Sequence, residues 1–280
     1  MTQPPSDEQI DSLIRMALEE DLGPGDITTR SIFADNPVRQ AEVLGKEPMV
    51  LCGIGIFQRV FTTLDPSAEF PEPCRRDGDE ISAGERILTV RAGCMALLEG
   101  ERTALNILQR LSGIATLTRK FVKQAKPVVV LDTRKTTPGL RVFEKYAVKC
   151  GGGANHRFGL FDAVLIKDNH IKAAGGITEA VARVRNKLGN GKTVEVETTH
   201  IEEVAEALAA GVDIIMLDNM PTEMIRQAVK LVCGRVKIEV SGSVSLQRLE
   251  ELARSGADFV SVGALTHSAP AVDISMNILD

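Results

Sequence analysis

The chain has 280 residues, 44% of them apolar and 25% charged, with a formal net charge of −5. That length allows two modest domains or one barrel with an added lobe, and the composition is that of an ordinary globular protein. The acidic balance argues against broad nucleic-acid binding, one Tyr and no Trp leave little for base stacking, and no apolar run approaches the roughly 18 to 20 residues of a membrane helix.

The opening MTQPPSDEQIDSLI lacks the basic start and apolar centre of a signal peptide, so a cytoplasmic setting is expected. SDEQIDSLIRMALEED predicts a helix capped by Ser6, with apolar positions at Ile10, Leu13, Ile14, Ala17 and Leu18. DLGPGDITT ends it and is read as a structural turn. Strand-like runs follow in RQAEVLGKEPMVLCG and ERILTVRAG, with DGDEISAGE supplying the turn residues between them. From Cys94 to about Gln124 the period is helical, with a break expected at Ser112-Gly113; Met95, Leu97, Leu98 and Leu105 are core candidates. Cys52, Cys74, Cys94, Cys150 and Cys233 form no CxxC pair and have no histidine spacing, so free thiols are expected.

After Pro127 the pattern becomes regular. Apolar runs at VVVLD, AVLIKD, VEVET, IIMLDN, KIEVSG and FVSVGA read as strands, and the later ones alternate with amphipathic helices such as IEEVAEALAAG, TEMIRQAVKLV and SLQRLEELARSG. Glu197, Asp218, Ser241 and Gly263 end their runs at intervals of 21 to 23 residues, which suits a small barrel. The region is shorter than the roughly 250 residues of an eightfold barrel. An incomplete barrel is expected.

Each run ends in a residue able to do chemistry, and the carboxyl ends of parallel strands converge on one face. The stretch Asp132 to Lys172 also holds eight Lys or Arg against four Asp or Glu, while the rest of the chain holds 25 against 34. Any one of these cations is an ordinary loop charge. Gathered, they repel by roughly 4 kcal/mol per pair at 4 Å and an effective dielectric near 20. A pocket for a multiply charged anion is therefore expected around Arg134, Lys135, His156, Arg157 and Lys167, with the glycines of KCGGGANHR allowing close backbone approach. Their spacing fits neither a dinucleotide fingerprint nor a P-loop. Glu197 and Asp218 can serve as acid–base groups, magnesium ligands or partners for the lysines, and Glu195 faces the same side of its strand as Glu197. VSGSVS and VSVGALTHS offer backbone amides at strand ends for a phosphate.

Taken in order, EDLGPGDIT, GERTALN, LDTRKTTPGLR, GGGANHRFGL, IKDNH, VEVE, IMLDNM and SVGALTHSA run through nearly the whole chain, and in them it closely resembles the quinolinate phosphoribosyltransferase family. The resemblance implies an α/β fold in which an incomplete βα barrel of about seven strands (residues 111–267) joins an N-terminal α/β sandwich lobe (residues 1–110). The tail 268–280 is expected to pack with that lobe. It implies a homodimer or larger assembly with shared sites, to which Arg102 comes from the other subunit. By motif, Arg134, Lys135, His156, Arg157 and Lys167 would bind quinolinate, and Thr133 is expected among the substrate-binding residues. Glu197 and Asp218 would handle the ribose hydroxyls and, through water, the Mg2+ that accompanies phosphoribosyl diphosphate. Ser241, Gly242, Ser243, Val262, Gly263 and Ala264 would hold phosphate, with His267 nearby, and several relatives carry glycine where this chain has Ser243. Lys135, Lys167, Glu197 and Asp218 are the expected catalytic groups, and neither nucleic acid nor membrane is an expected partner. Competing expectations are a barrel lyase with Lys167 as Schiff base, a relative acting on another heteroaromatic acid, and a non-catalytic anion binder.

Overall fold

The computed structural model describes residues 4–189 and 191–279, and its first element opens on the predicted cap. Ser6 Oγ accepts the Gln9 N–H at 3.3 Å while the Ser6 N–H donates to Gln9 Oε1 at 3.0 Å, starting α1 (Asp7–Leu22), which buries Ile14 and Leu18. DLGPGDITT is more than a turn. Asp26 Oδ1 accepts the N–H groups of Thr28 and Thr29 at 2.9 and 3.1 Å and starts α2 (Ile27–Ile32), whose 6 residues are too few to show an apolar period.

The chain continues through β1 (Val38–Gly45), β2 (Met49–Val50), α3 (Ile54–Leu64), β3 (Glu80–Ile81), β4 (Arg86–Gly93) and α4 (Cys94–Ala125). Then come β5 (Val129–Leu131), α5 (Arg141–Cys150), β6 (Val164–Ile166), α6 (Asp168–Ala174), α7 (Ile177–Leu188), β7 (Val194–Thr198) and α8 (Ile201–Ala209). The remainder is β8 (Ile214–Asp218), α9 (Thr222–Val232), β9 (Lys237–Ser241), α10 (Leu246–Ala253), β10 (Phe259–Ser261), α11 (Ala264–His267) and β11 (Ile274–Ile278).

The break expected at Ser112-Gly113 is absent, and α4 runs straight through it. Both residues serve close packing instead. Ser112 Oγ accepts the Cys52 N–H at 3.0 Å and donates to the Cys52 carbonyl at 3.2 Å. A Cβ at Gly113 would stand 2.0 Å from the Pro270 carbonyl oxygen.

Two compact units result: one holds the chain through Arg119, Thr137–Gly152 and the stretch from Ser268, the other Lys120–Thr136 and Gly153–His267. These units are not cut at a single point along the chain, because α4 is continuous past residue 110 and because α5 joins the first unit. Buried Glu144 of α5 accepts from Arg110 Nη2 at 2.9 Å and from the Thr137 N–H and hydroxyl at 3.0 and 2.8 Å. Arg119 donates to the carbonyls of Gly151 and Cys150 at 2.9 and 3.3 Å. Both ends of α5 are thus fastened to α4, and α5 carries Arg141, Lys145 and Lys149 with it, leaving Arg134, Lys135, Arg157, Lys167 and Lys172 of the basic block in the second unit.

The first unit contains an antiparallel sheet ordered β11-β1-β4, with Ala41 opposite Val90 on one side and Ile278 on the other. Val43, Leu88 and Val90 are buried, as are Phe57 and Phe61 of α3 and Leu97 and Leu105 of α4. In the second unit the six predicted strands form one parallel sheet ordered β5-β10-β9-β8-β7-β6. Ala154 adds a parallel bridge at Leu131, on β5. Among the described residues no hydrogen-bonded ladder closes this sheet into a ring. No helix there is long and apolar enough to cross a membrane.

Candidate active site

Alternate residues of a strand face opposite sides, so one face can supply core and the other chemistry. On β7, Val194, Val196 and Thr198 are buried on one face, leaving Glu195 and Glu197 on the other. The same alternation puts Met216 and Asp218 of β8, Glu239 and Ser241 of β9, and Ser261 of β10 around one cavity of about 590 Å3. Strand register aligns them: Glu197 stands opposite Met216, Met216 opposite Glu239, and Asp218 opposite Ser241. Thr133, Arg134 and Lys135 after β5, His156 and Arg157 after the Ala154 bridge, and Lys167 after β6 complete the wall. The whole lining belongs to the second unit.

The cations are crowded. Burial, followed by the charge of Arg134, pushes the Arg157 guanidinium below its ordinary value, against the opposing pull of Glu195 and Asp162. Two like charges therefore sense each other across a partly desolvated wall. Lys167 Nζ meets Glu197 Oε2 at 2.6 Å, but the lysine side chain is 45% exposed. Such a pair contributes at most about 1 kcal/mol to stability, and its main effect is to fix where ammonium and carboxylate stand.

Asp132, placed by sequence among the chemical groups, is fully buried and structural. Its carboxylate accepts Asn155 Nδ2 at 2.6 Å and the His156 N–H at 2.9 Å, tying the second basic loop to the end of β5. His156 in turn is engaged at both ring nitrogens. Nδ1 accepts the Arg157 N–H at 2.8 Å, so Nε2 carries the ring proton and donates to Glu195 Oε2 at 3.1 Å. The imidazole orients Arg157 from inside the wall.

Glu239 lies beside this pair, its Oε2 3.6 Å from His156 Nε2. His156, Glu195 and Glu239 bring one ligand atom each within 4.8 Å of the others, a grouping able to hold a cation. A proton relieves the repulsion equally well: burial, then the Glu195 charge, push Glu239 up to about 8, opposed by His156 and the Ser261 hydroxyl. Sequence reading passed over Glu239, although it stands two residues before Ser241 as Glu195 stands before Glu197.

At the far rim Asn219 and Ser243 adopt left-handed φ values of 53° and 48°, with Gly242 between at 89°. Asn219 Nδ2 donates to Asp218 Oδ2 at 2.8 Å, and a Cβ on Gly242 would fall 2.2 Å from Asn219 Oδ1. The left-handed φ at Ser243 is a conformation glycine adopts without cost. Val262, Gly263, Ala264 and His267, expected at the phosphate, do not line the cavity directly. Val262 is buried, with its N–H on the Leu131 carbonyl at 2.9 Å. Gly263 lies under Lys135, where a Cβ would come within 2.9 Å of Cδ, and 3.2 Å from the His267 ring, while Thr266 Oγ1 donates to the Lys135 carbonyl at 2.7 Å. Arg102 stands on α4 in the first unit, exposed and 3.7 Å from Glu101.

Cations on one wall, acids at the neighbouring strand ends and Ser-Gly turns beyond them define an α/β protein built to take up small polyanions at the carboxyl ends of parallel strands. The chain belongs to the quinolinate phosphoribosyl transferase family: the family's C-terminal domain matches residues 114–277 and its N-terminal domain residues 26–112. It is 43% identical over 272 residues to a Bacillus subtilis protein named probable nicotinate-nucleotide pyrophosphorylase (carboxylating), covering 96% of this chain and 93% of that one. A Synechocystis protein of the same name is 45% identical over 96% of this chain and 92% of its own length. The crystal structure of NadC from Streptococcus pyogenes superposes with a TM-score of 0.95 at 44% identity, covering 99% of this chain and 100% of that one.

Glu239 has a consequence for stability. Between pH 4.5, its ordinary value, and about 8, the folded chain keeps a proton that the unfolded chain releases, so this group makes stability fall as pH rises through that window. Glu239→Gln keeps the neutral form at every pH. Its stability relative to the parent is expected to rise across the window by on the order of a few kcal/mol, followed by urea denaturation at stepped pH. A difference independent of pH would contradict the assignment.

Proposed function

We propose that the chain transfers the phosphoribosyl group of phosphoribosyl diphosphate to the ring nitrogen of quinolinate and releases one ring carboxylate. The products are nicotinate mononucleotide, diphosphate and carbon dioxide, as in the de novo synthesis of NAD; this is the activity for which the family and its carboxylating relatives are named. The observation that carries the reading is the meeting of Arg134 and Arg157 in one cavity with Lys135 and Lys167, facing Glu197 and Asp218. Quinolinate is a dianion whose carboxylates suit paired guanidinium forks, and a bound dianion answers the repulsion between them.

The chemistry follows from that placement. Loss of diphosphate leaves an oxocarbenium-like ribose, whose positive charge Glu197 and Asp218 favour, and the pyridine nitrogen attacks it. The quaternised ring becomes an electron sink, so the carbon–carboxylate bond beside the nitrogen breaks, carbon dioxide leaves, and the electron pair left on that carbon takes up a proton from solvent. Lys135 and Lys167 neutralise the departing and ring anions; no covalent nucleophile is needed. Magnesium enters with the diphosphate substrate, and the oxygen donors of Glu197 and Asp218 suit it through water. Ser241, Gly242 and Ser243 offer the phosphate cradle, with Val262, Gly263, Ala264 and His267 supporting it behind Lys135. Thr133 and His156 shape the wall beside the arginines.

The open parallel sheet, with Ala154 as a seventh position, reads as an incomplete barrel, and the first unit as the family's sandwich lobe. The exposed position of Arg102 on α4 supports a homodimer in which it enters the other subunit's site. Small water-soluble substrates fit a cytoplasmic setting. A Schiff base at Lys167 is disfavoured by its 2.6 Å pairing to Glu197, which commits the amine to a carboxylate partner.

Release of labelled carbon dioxide from carboxyl-labelled quinolinate tests the reaction. It is expected only when phosphoribosyl diphosphate and magnesium are both present; release without the sugar diphosphate, or none with all three, overturns it. The shared site is tested by mixing. Arg102→Ala and Arg157→Ala are each expected to lose roughly 100-fold or more in turnover, and mixed dimers to recover part of it through one intact site. Verified subunit exchange without recovery would count against sharing.

A further inference from the structure

We propose that Cys52 and Cys150 are a modification site, forming a reversible disulfide by exchange with a small-molecule disulfide of the glutathione class. Cys52 directly precedes Gly53, the N-cap of α3, and Cys150 is the last residue of α5, so residues far apart in sequence meet within the first unit. Their sulfurs and an oxygen of Asp77 lie within 4.8 Å of one another.

Three acidic side chains so arranged could suggest a metal, but Asp77 is already committed. Its Oδ1 accepts the N–H groups of Gly53 and Ile54 at 2.8 and 2.9 Å, and its Oδ2 accepts the Tyr146 hydroxyl at 2.8 Å. That leaves two sulfurs, short of the four donors of a structural zinc site. What remains is a thiol pair with unequal members.

Cys52 is fully buried and Cys150 half-buried. The neighbouring Cys52, aided by Tyr146 and Lys149, lowers the Cys150 thiol from its ordinary value against burial and Asp77, whereas burial raises Cys52. Cys150 is therefore the attacking thiolate and Cys52 the resolving thiol. In the first step Cys150 sulfur bonds to one sulfur of the small disulfide, whose S–S bond breaks and releases one thiolate. Next the Cys52 sulfur, giving up its proton, attacks the Cys150 sulfur and expels the second. Two protein thiols are oxidised, one small disulfide is reduced to two thiols, and the two protons end on those products.

The test is to incubate the full chain in buffers of increasing oxidised-to-reduced glutathione ratio, quench with an alkylating reagent and map peptides by mass. A Cys52–Cys150 linked peptide, lost again on adding reductant, is the expected result. Cys52→Ser is expected to accumulate glutathione on Cys150, while Cys150→Ser leaves Cys52 unmodified. The proposal is overturned if both cysteines of the parent stay alkylated in the most oxidising buffer. It is equally overturned if Cys150 of the parent stops at the glutathione adduct, or if Cys52 is modified in Cys150→Ser.

Discussion

Repulsion between cations gathered at the carboxyl ends of parallel strands is the constraint on which the site depends. Arg134 and Arg157 come from loops on either side of α5, which lies in the other compact unit. They meet because β5 and the Ala154 bridge are neighbours and because Asp132 ties the second loop to the first strand. Left alone, that wall opposes its own assembly. Nearby carboxylates, Glu197 on Lys167 and Glu195 beside Arg157, offset it in part.

The carboxylates act at two depths. Near the mouth, Glu197 pairs with Lys167 and Asp218 with the Asn219 amide, so both strand-end acids are held in position by partners. Deeper, Glu195 and Glu239 share space with His156, and the raised Glu239 keeps one negative charge from being added beneath the cationic wall. The His156 ring connects the depths, accepting from the Arg157 backbone above and donating to Glu195 below. An imidazole committed on both sides fixes the Arg157 backbone against the acids beneath it.

Much of this was legible in the sequence, for a physical reason. Parallel strands covered on both faces are apolar and short, so the polar residue ending each stands out: Lys167, Glu197, Asp218 and Ser241 were readable and do line one cavity. Other features were masked. α5 carries glycines at its exit and charges along its length, and its buried Glu144 and Lys145 resemble solvent positions in a linear pattern. Ser112-Gly113 looks like a helix break, yet hydroxyl bonds to Cys52 and the close Pro270 backbone, both distant in sequence, decide its conformation. Glu239 was hidden because a carboxylate inside an apolar run signals chemistry only when its neighbours across the sheet are known. The loop Val262 to Ala264 sits one layer behind the cavity, where period alone could not separate contact from support.

Recognition of two carboxylates by the cationic wall is measured most directly by calorimetric titration that compares quinolinate with nicotinate, the ring lacking the carboxylate beside nitrogen. Loss of one charge-assisted contact corresponds to about tenfold to a hundredfold in affinity, so quinolinate is expected to bind tighter by that factor. Equal dissociation constants for the two acids would contradict the account.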